Sequence, residues 1–334
     1  MTFRSPLSPA AASALQEIQA PVAEALERVP EEMRRIVASE TGLVNNVSDH
    51  LMLMRGKMMR PTLLLLASEC EGARDKDAIA YAAVVELIHL ATLVHDDAVD
   101  HSVLRRGMPT INALFSHQVS VIMGDFLYSR ALLELVRLGD LQRLEVLARA
   151  SNELTVGEIR QLAALDALAF SEADYEILIR AKTAALFAGA CEVGALSGAP
   201  KHRQALRAFG TQLGMAFQVV DDLLDYTESS ATVGKPTGLD LKEHKMTLPL
   251  IAAMPRMDPN ERAVVAELFQ MPEPAADLVA QVIELVRERG GLDYARRRGE
   301  EYAQRAEDAL SDLPEGAAKA ALLDTVSYVT ERRA

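Results

Sequence analysis

Val84-Val85-Glu86-Leu87-Ile88-His89-Leu90-Ala91-Thr92-Leu93-Val94-His95 runs directly into Asp96-Asp97-Ala98-Val99-Asp100. The apolar part is too continuous for a surface helix, and it predicts a helix buried on nearly all sides. Positions i, i+1 and i+4 then set three carboxylates on one side of its end, where like charges a turn apart cost roughly 0.2–0.5 kcal/mol. Something cationic has to offset them. A second copy, Asp221-Asp222-Leu223-Leu224-Asp225, follows the apolar run Met215-Ala216-Phe217-Gln218-Val219-Val220. Acidic runs on helices are usually solvated faces. Carboxylates that end two buried apolar helices are costly unless paired or metal-bound, however, and this favours an interior functional site. Oxygen-only ligands suit a hard divalent cation, and Mg²⁺ takes one or two carboxylates while leaving its other positions to water and phosphate oxygens. Two such faces suit a clamped diphosphate.

Working outward, the 334 residues are 49% hydrophobic, which marks a globular chain, and only 4% aromatic, with no tryptophan. Abundant Ala, Leu, Glu and Arg favour helices over sheets, so an all-α fold is expected. The net charge of −13 repels nucleic acid in bulk. An anionic substrate therefore has to be met by a local cluster of Lys, Arg and metal. Cys70 and Cys191 show no CxxC or Cys/His spacing, which argues against a disulfide framework or a zinc site and for buried structural thiols. Met1 to Ala20 lacks a continuous apolar core of the leader-peptide kind, and no run reaches ~18 charge-free apolar residues, so no transmembrane segment and a cytoplasmic, reducing setting are expected.

Met1 to Ala12, with Pro6 and Pro9, reads as a mobile lead-in. Helical patterns then follow one another, broken at Glu71-Gly72, Arg106-Gly107-Met108-Pro109, Gly139-Asp140, Gly198-Ala199-Pro200 and Pro255. Tyr226 to Gly238 looks like a loop, with Lys235 placed to close over a ligand as a lid. Leu278, Val279, Val282, Ile283, Leu285 and Val286 form a broad stripe at helical spacing that predicts core. No low-complexity linker divides the chain, so 1–334 reads as one domain, a closed helical bundle around a central cavity.

Further motifs stand in order around the two boxes. They are Gly56-Lys57-Met58-Met59-Arg60-Pro61, Arg105-Arg106-Gly107, Gly124-Asp125, Lys182-Thr183, Phe217-Gln218, Gly234-Lys235-Pro236 and Asp240-Leu241. From about residue 40 to 250 the chain resembles the trans-isoprenyl diphosphate synthases, or polyprenyl synthetases, with GKxxRP and DDxxD elements in the family's order. His244 departs from it, standing where the family often has glycine. The resemblance implies the all-α isoprenoid synthase fold, a homodimer, and Mg²⁺-assisted condensation of isopentenyl diphosphate with an allylic diphosphate.

Carried over position by position, the resemblance implies that Lys57, Arg60, His89 and Arg106 hold isopentenyl diphosphate. Arg105, Lys182, Thr183, Gln218 and Lys235 would contact the allylic diphosphate, with Lys245 nearby. Asp96, Asp100, Asp221, Asp222 and Asp225 would be metal ligands, with Asp97 completing the first box. Spacing supports part of this independently, because His89 lies two helical turns before Asp96 and Gln218 three residues before Asp221. His95 adjoins the first box without a ligand role of its own. In the family, bulky aromatics four and five residues before the first box stop chain growth. Thr92 and Ala91 stand there, and Ile88, Leu87, Val85 and Val84 further back are not aromatic either, which resembles long-chain members making hexaprenyl to decaprenyl products, such as an octaprenyl diphosphate synthase.

The alternatives are a short-chain farnesyl or geranylgeranyl diphosphate synthase, with Met123, Phe126 or Leu132 setting the floor, and a non-catalytic prenyl-diphosphate-binding subunit. The second should have lost carboxylates or basic residues, and none is missing. A terpene cyclase is disfavoured by the intact second DDxxD box. A ferritin-like di-metal protein is disfavoured by the lack of paired Glu-x-x-His.

Overall fold

The structure is a computed structural model that describes residues 9–331, apart from 55, 73, 164–166 and 228–236. Lys235 and the centre of the expected lid therefore lie outside the described residues. Helices dominate: α1 (Pro9–Gln19), α2 (Ala23–Val37), α3 (Gly42–Leu53), α4 (Met59–Glu69), α5 (Ala78–Val99), α6 (Ile111–Leu114), α7 (His117–Leu138) and α8 (Leu141–Ala163) come first. There follow α9 (Glu172–Ile179), a wide turn at Arg180–Ala184, α10 (Ala185–Leu196), α11 (Arg203–Thr227), α12 (Leu239–Lys242), α13 (Leu248–Ala253), α14 (Pro259–Gln270), α15 (Ala276–Glu288), α16 (Gly291–Ala309) and α17 (Ala317–Thr330). The strands described are a two-residue pair, β1 (Leu104–Arg105) and β2 (Met108–Pro109), antiparallel with Leu104 opposite Pro109. The all-α expectation holds.

Two compact units emerge. The first comprises the residues up to Ser151 with Leu186–Gly210 and Asp312–Asp324; the second comprises Asn152–Ala185, Thr211–Ser311 and the residues from Thr325 on. In the first unit α5 is the core helix, packed by α2, α4 and α7. It is buried on every side from Ala78 to Ile88, as its unbroken apolar sequence demands. It is also long and apolar enough to cross a membrane, but it carries Glu86 and two aspartates and is 72% buried within the protein. Its apolarity is that of a core helix.

In the second unit α13 packs on α15, α16 and α9. Val279, Val282 and Val286 are the buried line of the expected stripe; Leu278, Ile283 and Leu285 flank it half-buried. Pro9 to Ala12 form the first turn of α1, where proline's missing N–H costs nothing.

Candidate active site

In the first unit the GKxxRP element is a strained entry into α4. Met58, the residue before the helix, has φ 52°, a left-handed conformation uncommon for a side chain of its size. Its carbonyl accepts the Thr62 hydroxyl at 2.8 Å, and Gln19 Nε2 donates to the Lys57 carbonyl at 3.0 Å, so the kink is held from both sides. Arg60 lies in the first turn of α4 with its guanidinium 4.8 Å over the Phe187 ring. Its Nε is buried without a hydrogen-bond partner among the described residues. Burial, only partly offset by Glu86, pulls the Arg60 pKa down to about 10. An orphaned guanidinium donor of this kind suits an anionic oxygen.

Arg106 and Gly107, with φ 52° and 75°, form the two-residue turn between β1 and β2. Positive φ at both central positions is the hairpin turn that matches strand twist, normally taken by Asn-Gly or Gly-Gly. Arg106 accepts the strain because its guanidinium is tied down, Nη1 donating to the Met54 carbonyl at 2.7 Å. It also lies flat on Gly56, where a Cβ would come within 2.6 Å of Nη2. The glycine of GKxxRP is thus the seat of the second arginine of the RRG motif. Arg105 is committed to the first box: its Nε donates to both Asp97 oxygens at 2.9 Å, and Nη2 lies 2.9 Å from Oδ1.

On α5, Asp97 is buried, Asp96 half-buried and Asp100, the C-cap residue, exposed. Burial raises the Asp97 pKa, opposed by Arg105. His89 is held well below the ordinary histidine range by burial and by Arg60, Arg106 and Arg105, which makes it a neutral imidazole. Glu86, to which the sequence assigned no role, is 3% exposed and close enough to Arg60 and Arg106 that their charges oppose the burial that raises its pKa. The first unit therefore places a buried carboxylate among the basic residues. His95 sits on Gly124, its Nε2 3.3 Å from Asp125 Oδ1 and 3.2 Å from the Val121 carbonyl, which gives the Gly124-Asp125 motif a physical reason.

In the second unit, Lys182 and Thr183 lie in the wide i→i+5 turn at Arg180–Ala184, a bulge of the kind that recurs at functional sites. Lys182 Nζ is 2.7 Å from Glu158 Oε1. The Thr183 hydroxyl donates to Gln218 Oε1 at 2.6 Å, Gln218 Nε2 donates to Asp222 Oδ1 at 2.7 Å, and the Tyr175 hydroxyl donates to Asp222 Oδ2 at 2.5 Å. Asp222 is thus 5% exposed with both oxygens occupied, and burial drives its pKa well up. Both Asp225 oxygens are occupied too, by the amides of Leu239 at 3.1 Å and Asp240 at 3.0 Å. Asp221 is exposed. Asp240, read from sequence only as part of a motif, joins this group: burial and Asp225 push its pKa up to about 7, against the pull of Lys245. Lys245 lies 2.6 Å from Glu243 and donates its amide to the Asp240 carbonyl at 2.8 Å.

The first unit therefore gathers Lys57, Arg60, His89, Ala91, Thr92, Asp96, Asp97, Asp100, Arg105 and Arg106; the second gathers Lys182, Thr183, Gln218, Asp221, Asp222, Asp225 and Lys245. Among the described residues no three His, Cys, Asp or Glu side chains stand close enough to cage a metal ion. The donor set fits Mg²⁺ in a narrower sense. All the box carboxylates offer hard oxygens, and such an ion would need only one or two of them with phosphate oxygens and water completing its octahedron.

The profile of the polyprenyl synthetase family matches residues 41–286. The chain is 40% identical over 319 residues to the all-trans-nonaprenyl-diphosphate synthase (geranyl-diphosphate specific) of Rhodobacter capsulatus, covering 95% of this chain and 98% of that one. It is 36% identical over 321 residues to the octaprenyl diphosphate synthase of Haemophilus influenzae, covering 96% and 97%. The crystal structure of a polyprenyl synthase from Caulobacter crescentus, complexed with calcium and isoprenyl diphosphate, superposes with a TM-score of 0.90 at 35% identity over 96% of this chain and 98% of that one. On sequence and fold together, the chain belongs to the polyprenyl synthetase family.

Proposed function

We propose that this chain is a trans-prenyltransferase that condenses isopentenyl diphosphate head-to-tail with an allylic diphosphate, repeatedly, to give a long-chain polyprenyl diphosphate. The observation that carries the reading is the reach of the family profile, whose 41–286 covers both aspartate boxes and every anion-site residue from Lys57 to Lys245. The same reach spans both compact units and supports their working as one domain. Relatives named as nonaprenyl and octaprenyl diphosphate synthases support the long product.

In each cycle the allylic C–O bond breaks, diphosphate leaves, the double bond of isopentenyl diphosphate attacks the carbocation, and a proton is lost. Lys57, Arg60, His89 and Arg106 hold isopentenyl diphosphate. Arg60 offers its Nε, which has no hydrogen-bond partner among the described residues, and His89 a neutral N–H. Arg105, Lys182, Thr183, Gln218 and Lys235 receive the allylic diphosphate, with Lys245 beside them. For Lys182 this means leaving Glu158. Asp96, Asp100 and Asp221 are the more accessible metal ligands. Asp222 and Asp225 would meet the metal through the oxygen lone pairs left over by the hydrogen bonds they accept, and Asp97 keeps Arg105 in place. Mg²⁺, when bound, supplies Lewis-acid stabilisation of the charge developing on the leaving diphosphate.

A homodimer in a reducing cytoplasmic setting completes the reading, supported by two free, buried cysteines. Incubating the purified protein with Mg²⁺, isopentenyl diphosphate and geranyl or farnesyl diphosphate, followed by chain-length analysis, tests it. Products of six to ten isoprene units, abolished by EDTA and restored by Mg²⁺, are expected; no elongation with any primer rejects the reading.

A further inference from the structure

We propose that Tyr175 is a positioning residue for the second aspartate box, acting through Asp222. The proposal rests on the prenyltransferase reading above and adds a residue that no motif of the chain contains. Tyr175 is 2% exposed, and its hydroxyl donates to Asp222 Oδ2 while Gln218 Nε2 donates to Oδ1. Thr183 in turn donates to Gln218 Oε1. The result is one continuous chain of hydrogen bonds, Thr183 to Gln218 to Asp222 from one side and Tyr175 to Asp222 from the other. Three of its four members are residues that would meet the metal or the allylic diphosphate. Tyr175, 2% exposed, is the member that belongs to no motif. A buried carboxylate with two fixed donors can rotate neither oxygen without losing a bond in a low-dielectric surrounding. The plane of Asp222 and the direction of the Gln218 amide are therefore set by the tyrosine.

The helix that carries Tyr175 is itself clamped. α9 begins at a capping box, Ser171 accepting the Asp174 amide while the Asp174 carboxylate accepts the Ser171 amide. On α9, Glu172 and Glu176, one turn apart, meet α16. Tyr294 OH donates to Glu172 Oε2 at 2.8 Å, Tyr302 OH donates to Glu176 Oε1 at 2.6 Å, and Arg298 bridges both glutamates. α16 (Gly291–Ala309) lies beyond residue 286, where the family profile ends. A segment outside the motif-bearing region thus secures the helix whose tyrosine orders the second box. Supporting hydrogen bonds of this kind typically govern metal affinity by about 10–100-fold.

The test uses Tyr175→Phe, which keeps the ring and removes only the hydroxyl, read first without turnover. Calorimetric titration of the full-length protein with inorganic diphosphate in the presence of Mg²⁺ is expected to show binding weakened by about 10-fold. In steady-state assays the KM of the allylic primer should rise while that of isopentenyl diphosphate stays within two-fold or so of wild type. In a double-mutant cycle, Tyr175→Phe should add little in an Asp222→Asn background, because the two act as one unit. Should Tyr175→Phe not fold, Tyr302→Phe, which removes a donor that holds α9 at Glu176 and is not among the diphosphate-site residues, is expected to weaken Mg²⁺-diphosphate binding in the same direction. Wild-type Mg²⁺-diphosphate affinity in the folded Tyr175→Phe protein, or in Tyr302→Phe where that variant has to be used, overturns the proposal. So do fully additive effects with Asp222→Asn, or equal losses for both substrates. Absence of any prenyl product from the wild type would instead remove the functional reading, and the calorimetric comparison separates the two failures.

Discussion

His244 has φ 55°, a left-handed conformation that costs most residues about 1–2 kcal/mol and glycine nothing. It stands where the resemblance leads one to expect glycine, and its backbone adopts a conformation that glycine reaches without strain. Its ring offsets the strain, with Nε2 2.9 Å from the Met271 carbonyl and the ring centroid 5.7 Å from that of Phe269. A hydrogen bond of this kind contributes about 0.5–1.5 kcal/mol, comparable to the strain. His244→Gly is therefore expected to unfold within about 1 kcal/mol of wild type, whereas His244→Val, which loses the bond and adds β-branched crowding, should cost about 2 kcal/mol or more. Urea unfolding of the two variants checks the difference. Asp240 supplies a pH test at the same scale. Its pKa is about 7 in the folded protein, against about 3.9 in an unfolded chain. Between those values the folded state holds a proton that the unfolded state has released. The contribution to stability is thus full below pH ~4 and lost as pH rises through ~7. Asp222 and Asp225, also raised by burial, act in the same direction. Metal-free protein in EDTA should melt at a lower temperature at pH 8 than at pH 5, and Asp240→Asn should flatten that slope; a slope identical to wild type would remove Asp240 as its source.

At the scale of elements, α5 does two things at once. Its first three turns are core, while its last two present Thr92, Asp96 and Asp100 at partly or fully exposed positions. If the growing prenyl chain runs along this helix, Thr92 and Ala91 differ as test sites. Thr92 is half-buried, its hydroxyl closed onto the His89 carbonyl at 2.8 Å, whereas Ala91 is 2% exposed. Thr92→Phe is expected to shorten the products with little change in melting temperature. Ala91→Phe should shorten them and also cost about 1–3 kcal/mol from overpacking. Product lengths read beside thermal unfolding decide the matter, and unchanged lengths in a folded, active Thr92→Phe enzyme would take this helix out of the product path.

At the scale of the molecule, α7 leaves an apolar stripe uncovered. Ile122, Leu133 and Val136 are 66%, 61% and 62% exposed, and with half-buried Phe126 they recur at helical spacing along one face. Exposed apolar area of this kind marks an association surface. A second copy of the chain is the expected occupant, in keeping with the homodimer that the family resemblance implies. Sedimentation is expected to give a dimer, and Leu133→Glu with Val136→Glu together should give monomers that keep the helical signature. A monomeric wild type would reject the assignment.

Much of this protein is legible in its sequence because the informative signals are local. An unbroken apolar run ending in carboxylates specifies a buried helix with a charged end whatever surrounds it, and ordered short motifs name the basic residues. Glu86, Tyr175 and Asp240 were not legible in this way: each lies in or beside a readable stretch, yet its role depends on what lies across from it. Tertiary structure decided how the carboxylates differ. Asp97 is taken by Arg105, Asp222 by Tyr175 and Gln218, and Asp225 by the amides of Leu239 and Asp240, while Asp100 and Asp221 remain exposed. The two boxes read identically as sequence. They differ in the fold because desolvation and hydrogen-bond partnership are set by residues outside the boxes, some of them, such as Tyr175, far along the chain, and the DDxxD spacing encodes none of this.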